Sequence, residues 1–484
     1  MIKLLLISLL FAAPGGPAPL ADTTCTRVSM ESSVAAGDYR NIFDGSTESV
    51  NRLGASASRR LGDFLLYGNF NYGYDLSYGT RWRGWTDPYE TPFMVCDSIP
   101  GTVSREIYDM QAVVAYKAGR WIFGADLAYT NSLMAKRKDL RNKNTRMDFS
   151  AAPLLGWEGE RLKAVFKAGY TRNTERVEYM QVDASTEKYL FDLYGLWLYN
   201  VSGFSSAENR RQKTGGTVFA DLSLGLDFGG GSSVSYSGSL CRGSSVQTET
   251  GYNNLNHGTT ETFCFRNSLD LVLSGRHFLA LAADMSQMRG LRAVQRQELD
   301  PDSKIRRWYS YGDPSDVYWR ETYGVSASYL YKGLNWEAFA GLSWTRASHA
   351  YKEYPVLFSQ DLTVLSPEAG GSVMLLSGRA SSLKLSPSIM ARRRLSGDPG
   401  SRSVSGDITV EQGQESQLSS PMAEEYSFWS ADAAGAALKA DYIRALTPGK
   451  ALTFSASVKD IMALSGTMKN NNRLTVTISA GYNF

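Results

Sequence analysis

The sequence lacks long apolar runs and has little histidine and cysteine. After a short apolar stretch near its start, no segment offers the roughly eighteen continuous apolar residues that a membrane-spanning helix needs. Histidine occurs three times in 484 residues, as His257, His277 and His349. Catalytic bases and metal ligands are often histidines, so few residues are available for either role. We therefore expect no enzyme, no catalytic residues, no metal and no cofactor.

Four cysteines are present, and no metal-ligand spacing links them. Their small even number suits an oxidising compartment. Cys241 and Cys264 lie at similar distances from a predicted hairpin tip at Gly251–Asn254, so they should face each other across two strands and form a disulfide. The remaining pair, Cys25 and Cys96, would then join the N-terminal segment to the first long loop.

The two chain ends indicate export. Met1–Lys3 is a short basic start, Leu4–Ala13 is apolar, and Pro14–Ala21 is rich in breakers and small residues, which predicts a signal peptide over residues 1–21. Residues 22–48 are predicted to be an N-terminal segment, either a first strand or a plug in a lumen. Residues 49–484 are predicted to form one β-barrel.

The last segment, Leu474–Phe484, alternates apolar and polar residues without a break. Period-two alternation predicts a strand whose two faces meet different surroundings. The terminal aromatic residue, Phe484, makes this strand resemble the C-terminal signal of bacterial outer-membrane β-barrels.

The chain repeats a unit of strand, tight turn, strand and long loop. Predicted tight turns lie at Arg59–Asp63, Ala118–Arg120, Glu158–Glu160, Gly229–Gly231, Gly275–Arg276, Lys332–Gly333, Gly378–Arg379 and Thr447–Gly449. Glycine is favoured there because hairpin turns need positive φ. Long connections are predicted near 80–103, 174–211, 248–257, 291–316, 349–368 and 395–426.

These units predict an all-β, transmembrane, antiparallel up-and-down β-barrel with short periplasmic turns and long extracellular loops. Eight hairpins and the terminal strand give at least seventeen strands, and even counts in bacterial barrels raise this to about eighteen, with sixteen as the alternative. Charges such as Lys167 and Asp221 would face a wet lumen and neutralise one another.

The first long loop, Arg81–Gly101, and the segment Asn69–Tyr74 resemble a family of Bacteroidota outer-membrane β-barrel proteins of uncharacterised function. The resemblance implies an outer-membrane barrel that acts beside a TonB-dependent receptor or a surface lipoprotein. It assigns no catalytic residue.

Aromatic and arginine residues in the loops are the candidate ligand- or partner-binding residues: Trp82, Trp85, Tyr89, Phe93, Trp197, Arg306, Arg307 and Trp308. Two interpretations of the first loop stay open. It folds inward and plugs the lumen, or it forms a recognition surface at the cell exterior. Tyr318 and Trp319 are predicted to belong to the aromatic girdle at a membrane interface.

We predict a protein of the bacterial outer membrane whose surroundings are membrane lipid. The near-balance of 51 basic and 48 acidic residues gives no basis for nucleic-acid binding. The predicted function is a porin-like channel or an uptake component for a small solute or nutrient. The alternative is a non-conducting barrel subunit that binds a surface lipoprotein or a TonB-dependent receptor through its aromatic loops.

Overall fold

The structure, a computed structural model, describes residues 25–183, 185–203, 210–249, 256–302, 304, 306–353, 356–378, 380–404, 418–447 and 449–484. The predicted signal peptide, 1–21, lies outside these ranges. Within them, eighteen antiparallel strands pair with their neighbours in chain order. The last strand pairs with the first, and the sheet closes into a barrel. The predicted barrel class and the count of eighteen are confirmed.

The wall strands are β1 (Cys25–Ala36), β2 (Thr47–Leu61), β3 (Phe64–Thr80), β5 (Gly101–Ala118), β6 (Trp121–Lys136), β7 (Arg141–Glu158), β8 (Leu162–Met180), β11 (Arg210–Gly229), β12 (Ser232–Glu249), β13 (Asn256–Leu273), β14 (His277–Leu299), β15 (Arg306–Lys332), β16 (Trp336–Glu353), β17 (Val356–Ser377), β18 (Ser381–Val404), β19 (Ala433–Thr447), β20 (Lys450–Ala463) and β21 (Asn472–Asn483).

The eight predicted tight turns fall between consecutive wall strands at one end of the barrel, the short-turn end. In the turns Gly378–Arg379 and Thr447–Gly449, residues 379 and 448 lie outside the described ranges. Gly62, Gly119 and Gly275 have φ values of +60°, +61° and +63° there. Glycine adopts this left-handed conformation without a steric penalty, which explains why the turns could be read from the sequence.

Closure takes place between β1 and β21. Thr26 and Phe484 exchange two backbone hydrogen bonds of 2.9 Å, so the C-terminus is anchored at the short-turn end. Residues 25–36 thus form the first strand, and residues 37–46 then turn away from the wall at the opposite end, the long-loop end.

Alternation along the strands separates two faces. On β21 the outward Ile478 is 62% exposed. On the inner face the hydroxyl of Thr477 lies 2.9 Å from that of Ser33 on β1. Deeper in the lumen, Lys167 lies 3.1 Å from Asp126 and 3.4 Å from Asp221. Inward charges therefore neutralise one another between nearby strands of the wall, as predicted.

Several connections are shorter than predicted, because strand pairing continues into them. β14 and β15 stay paired as far as Leu299 and Arg306, inside the predicted connection 291–316. β16 and β17 stay paired as far as Glu353 and Val356, inside 349–368. The polar composition of these segments predicted loops, but backbone hydrogen bonds between the paired strands extend the hairpins through them.

Secondary structure also lies inside the barrel, where the sequence predicted only loops. Three short strands, β4 (Phe93–Cys96), β9 (Tyr189–Tyr194) and β10 (Tyr199–Gly203), form a separate inner sheet in the order β10-β9-β4. One α-helix is present in the described residues, α1 (Ser419–Ser430). No helix in the described ranges has the length and apolarity to cross a membrane.

Candidate functional site

The lumen at the long-loop end is occupied by a plug, which we define as residues 37–46, 81–100, 185–203 and 418–430. The plug contacts wall strands that lie far apart around the barrel. On β7, the Asn144 side-chain amide donates a hydrogen bond of 2.8 Å to the carbonyl oxygen of Gly84. On β15, Arg320 Nη2 donates one of 2.8 Å to the carbonyl oxygen of Tyr89. One loop can reach both strands only through the lumen.

The plug has its own hydrophobic core, built from the aromatic loop residues. Trp85 is fully buried, and its indole N–H donates a hydrogen bond of 2.9 Å to the carbonyl oxygen of Phe93. Trp197 stacks on Phe43 with ring centroids 5.6 Å apart, and Trp82 meets Trp197 edge to face at 5.6 Å. Burial of such large side chains stabilises a folded plug.

The structure therefore matches the inward-folding interpretation of the first loop. Trp82, Trp85, Phe93 and Trp197 are buried, so these side chains are not displayed to a partner at the surface. Tyr318 was predicted to lie in the membrane girdle, and this is wrong. It is buried in the lumen with Tyr194 and Tyr351, because regular alternation along β15 places it on the same inward face as Arg320 and Thr322.

A buried ionic network joins the plug to three wall strands. The Glu90 carboxylate lies 2.7 Å from both Lys213 Nζ on β11 and Arg146 Nη1 on β7. Lys213 also lies 3.3 Å from Glu175 on β8, which accepts a hydrogen bond of 2.7 Å from the Thr86 backbone N–H. Burial alone would raise the pKa of Glu90, but the two cations outweigh it and lower that pKa to about 2.

A second anchor is the ion pair between Asp97 and Lys136. Lys136 Nζ lies 2.7 and 2.6 Å from the two carboxylate oxygens and 2.6 Å from the carbonyl oxygen of Ile99. The side chains of Lys136 and Asp97 are only 4% and 6% exposed. Burial raises the pKa of Asp97, although the ammonium group opposes that shift.

A third anchor holds the inner sheet. Asp192 on β9 lies 2.6 Å from Arg211 on β11 and 3.3 Å from His257 on β13. The other ring nitrogen of His257 lies 2.7 Å from Glu249, so this histidine is enclosed by charged partners. Burial would raise the pKa of Asp192, but Arg211 and His257 lower it overall.

The four plug segments meet at Tyr89 and Glu425. The Tyr89 hydroxyl donates to Glu425 at 2.8 Å and accepts from the Asn41 amide at 2.8 Å. The Trp197 indole N–H donates to the second Glu425 oxygen at 2.6 Å. Burial raises the pKa of Glu425, while these hydrogen bonds oppose the rise.

The cysteines divide into one bonded pair and two free thiols. Cys241 and Cys264 are directly opposite on β12 and β13, with Cα atoms 5.1 Å apart, and form the predicted disulfide. The predicted Cys25–Cys96 disulfide is wrong, because both thiols are free. Cys25 opens β1 near the short-turn end, whereas Cys96 is buried in the plug at the other end.

Beneath the plug lies a cavity of about 370 Å³, which we call the sub-plug cavity. Tyr89, Glu425 and Trp429 from the plug form one side of it, and wall strands form the other. One register row supplies much of the wall, crossing β11 to β17 in the order Thr217, Gly243, Thr262, Met288, Arg320, His349 and Gln360. Pairing in register is what aligns residues so distant in sequence.

Four residues that line the sub-plug cavity each carry a buried polar atom without a hydrogen-bond partner among the described residues. These atoms are Asn173 Oδ1, Asp361 Oδ1, Arg392 Nε and Tyr426 Oη. Buried polar atoms are normally satisfied, so these four are exceptions in the packing around the cavity.

The remaining predicted binding residues add little to the description of the sub-plug cavity. Tyr89 faces the sub-plug cavity, but the side chains of Arg306, Arg307 and Trp308 lie outside the described part of the structure.

Sequence reasoning missed Glu90, Asp97, Lys136 and Lys213, whose ion pairs join segments far apart in the chain. No group of three His, Cys, Asp or Glu side chains in the described ranges is placed to hold a metal ion.

Comparison with known proteins gives a family and a loose structural likeness. Residues 18–484 match a family described as "Family of unknown function (DUF6850)". No curated protein matches the sequence. Similar solved structures include BauA, the ferric preacinetobactin receptor from Acinetobacter baumannii, at 10% identity and a TM-score of 0.42, over 96% of this chain and 80% of that chain.

Two further solved structures show the same degree of likeness. The copper transporter OprC has 8% identity and a TM-score of 0.42, over 96% of this chain and 81% of that chain. The siderophore receptor PirA from Acinetobacter baumannii has 7% identity and a TM-score of 0.42, with the same coverage of 96% and 81%. Likeness of this degree carries no argument about what this chain binds.

Proposed function

The chain belongs to this family of unknown function, DUF6850, and from its structure we propose an outer-membrane β-barrel that takes up a small solute or nutrient. In this proposal the plug closes the lumen at rest, and passage follows its movement. We propose no chemical reaction for the protein.

The outer face of the barrel supports a membrane location. Large apolar side chains point outward along the strands and are exposed, among them Met30 on β1, Phe166 on β8 and Leu342 on β16. Water would disfavour an apolar surface of this extent, whereas lipid accepts it. Trp121, Trp336 and Phe484, which are 49%, 48% and 49% exposed near the short-turn end, fit an aromatic girdle at one interface.

The plug carries the functional part of the proposal. Its buried ion pairs with β6, β7 and β11, and its apolar contacts with β14 to β17, hold it across the lumen. An open porin would leave the lumen wet along its whole length. A folded plug above a cavity in the lumen instead fits a barrel that admits a solute only when the plug shifts.

Locking the plug to the wall tests this proposal. The Thr91 and Thr260 hydroxyl oxygens lie 2.9 Å apart, on the plug and on β13. Cysteines at both positions, in a Cys25→Ser background, should form a disulfide. We expect urea, below the concentration that melts the wall, to induce stepwise ionic conductance in the parent barrel and not in the oxidised T91C/T260C variant.

The matched control is T91C/T259C, because alternation places Thr259 on the opposite face of β13 from Thr260, out of reach of the plug. This control should open in urea like the parent. Conductance that urea does not raise in the parent would count against the uptake proposal and favour a non-conducting barrel.

A second candidate function, a non-conducting subunit that docks on a surface lipoprotein or a TonB-dependent receptor, is favoured by the uneven height of the wall. β14, β15, β17 and β18 have 23, 27, 22 and 24 residues, whereas β1 and β21 have 12 each. About 9–11 residues suffice to cross a membrane. The long hairpins would project at the long-loop end on one side, where a partner could rest.

Shortening one hairpin tests this candidate. Arg292 and Ser315 are register partners, so replacing residues 293–314 by Asn-Gly closes a shorter β14–β15 hairpin. If the docking function holds, a lipoprotein or receptor should co-purify in stoichiometric amount with the parent barrel and be lost from the shortened variant. Retention of the partner by both proteins would argue against docking on this hairpin.

A further inference from the structure

We infer that the sub-plug cavity binds a small uncharged solute rich in hydroxyl groups, of the saccharide class. The inference rests on the proposed uptake function and names the class of solute that this cavity would take. Three features carry it: the hydroxyl side chains of the wall, the balance of charge and the aromatic side.

Hydroxyl side chains converge on the cavity from neighbouring strands. Thr217 on β11 and Thr262 on β13 flank Gly243 on β12 in one register row. A Cβ at Gly243 would lie 2.6 Å from the Thr217 hydroxyl oxygen and 2.7 Å from that of Thr262. The missing side chain thus lets the two hydroxyls approach each other over Gly243.

More hydroxyl groups continue this surface. Ser286 and Thr322 lie side by side in the adjacent register row, and Thr345 lies in the next. A hydroxyl group both donates and accepts hydrogen bonds. A wall of hydroxyls therefore complements a ligand that itself carries hydroxyls, whichever way each of them points.

Charge around the cavity is balanced, which argues against selection by net charge. The cationic lining residues are Lys213, Arg266, Arg320 and Arg392, and the acidic ones are Asp87, Glu90, Asp361 and Glu425. Lys213 and Glu90 already form an ion pair of 2.7 Å. Equal numbers of opposite charges give no lasting advantage to either an anion or a cation.

The plug side adds aromatic surface. Tyr89 and Trp429 both line the cavity, with ring centroids 6.0 Å apart in an edge-to-face arrangement. Rings of this kind combine an apolar face with a polar N–H or O–H group. The carbon–hydrogen face of a sugar ring can pack on that apolar face while its hydroxyls reach the wall.

Equilibrium binding tests the inference on the full chain, refolded in detergent. We would titrate glucose and maltose by calorimetry, with gluconate, glucosamine and glycylglycine as anionic, cationic and zwitterionic comparisons. We expect a neutral sugar to bind with saturable heat and the three charged probes to bind at least tenfold more weakly. Preference for any charged probe, or no binding of either sugar, would overturn the inference.

A matched pair of variants locates the site. Thr262→Val removes a hydroxyl that faces the cavity, and Thr259→Val makes the same change on the opposite face of β13. We expect sugar affinity to fall about fivefold in T262V, as for one lost hydrogen bond, and to stay unchanged in T259V. Ser286→Ala serves as a second cavity variant should T262V fail to fold. Equal affinity in the cavity and control variants would contradict the site.

The binding assay needs no transport, so the two proposals fail separately. A barrel that opens in urea but binds no sugar would retain the uptake function and lose the saccharide assignment. A barrel that binds sugar with the predicted variant pattern but never conducts would retain the site and lose the uptake function.

Discussion

Replacing Lys136 with methionine should loosen the plug from the wall. The substitution removes the ammonium group that contacts both Asp97 oxygens and keeps a side chain of similar length. Asp97 would then be a buried carboxylate, retaining a hydrogen bond of 3.2 Å from the Leu140 backbone N–H. Solvent cannot compensate for the loss, because the two side chains are only 4% and 6% exposed.

The expected magnitude follows from this burial. Removing one partner of a buried ion pair typically costs about 3–5 kcal/mol. If the closed plug bears that cost and the displaced plug does not, the ratio of displaced to closed plug rises roughly 10²-fold or more, at 1.36 kcal/mol per tenfold.

Cys96 provides the assay, because it is a fully buried thiol within the plug. Burial also raises the pKa of Cys96, which keeps it unreactive in the closed state. In a Cys25→Ser background it is the one free thiol of the described residues, so its rate of maleimide labelling reports plug opening.

The control is Lys163→Met, which breaks an ion pair with Glu158 near the short-turn end, where Lys163 is 58% exposed. Exposed pairs contribute little, so K163M should label like the parent. The double variant D97N/K136M, which leaves no buried charge, should recover most of the slow labelling. Equal labelling rates in K136M and K163M would refute the anchoring role of Lys136.

Three further predictions concern the same plug and wall. The lowered pKa of Glu90 gives stability that is present above its ordinary pKa of 4.5 and is lost as pH falls toward about 2. Single-channel recordings should therefore show rising open probability over that window in the parent and a shallower rise in E90Q, where the Asp192 anchor still titrates. Trp197→Phe keeps the ring stack but removes the hydrogen bond to Glu425. Urea unfolding of the plug, monitored by fluorescence, should show a free energy of unfolding that is lower by about 1–3 kcal/mol. An unchanged midpoint would contradict the contribution of this hydrogen bond. The double variant C241S/C264S should still show heat-modifiable mobility, because β12 and β13 keep their backbone hydrogen bonds. Its free energy of unfolding should be lower by about 3 kcal/mol, measured by thermal unfolding. An unaltered midpoint would contradict the contribution of the disulfide.

The barrel could be predicted because its signals are local. Turn glycines such as Gly62 and Gly119 mark hairpins by backbone conformation, and alternation over a single strand marks the two faces. The disulfide between Cys241 and Cys264 followed from the same local register, since a hairpin fixes which residues face each other.

The plug could be predicted only in outline, because its contacts join distant segments. Composition left inward folding of the first long loop as one of two interpretations. The inner sheet pairs Phe93 with Tyr194, and no periodicity in the sequence predicts such a pairing. The error on Cys25 and Cys96 has the same origin, since no hairpin relates them. Helix α1 was missed because it has no clear amphipathic stripe and buries only Tyr426, Phe428 and Ser430.

The most direct test of the account is single-channel conductance of the refolded parent barrel and of a variant lacking residues 84–97. The deletion removes the plug loop and leaves six residues to connect Thr80 and Gly101, which are register partners on β3 and β5. If the plug closes the lumen, the parent should be silent and the variant should show large, stable steps. Large steady conductance in the parent, or a silent variant with the heat-modifiable mobility of a folded barrel, would contradict it.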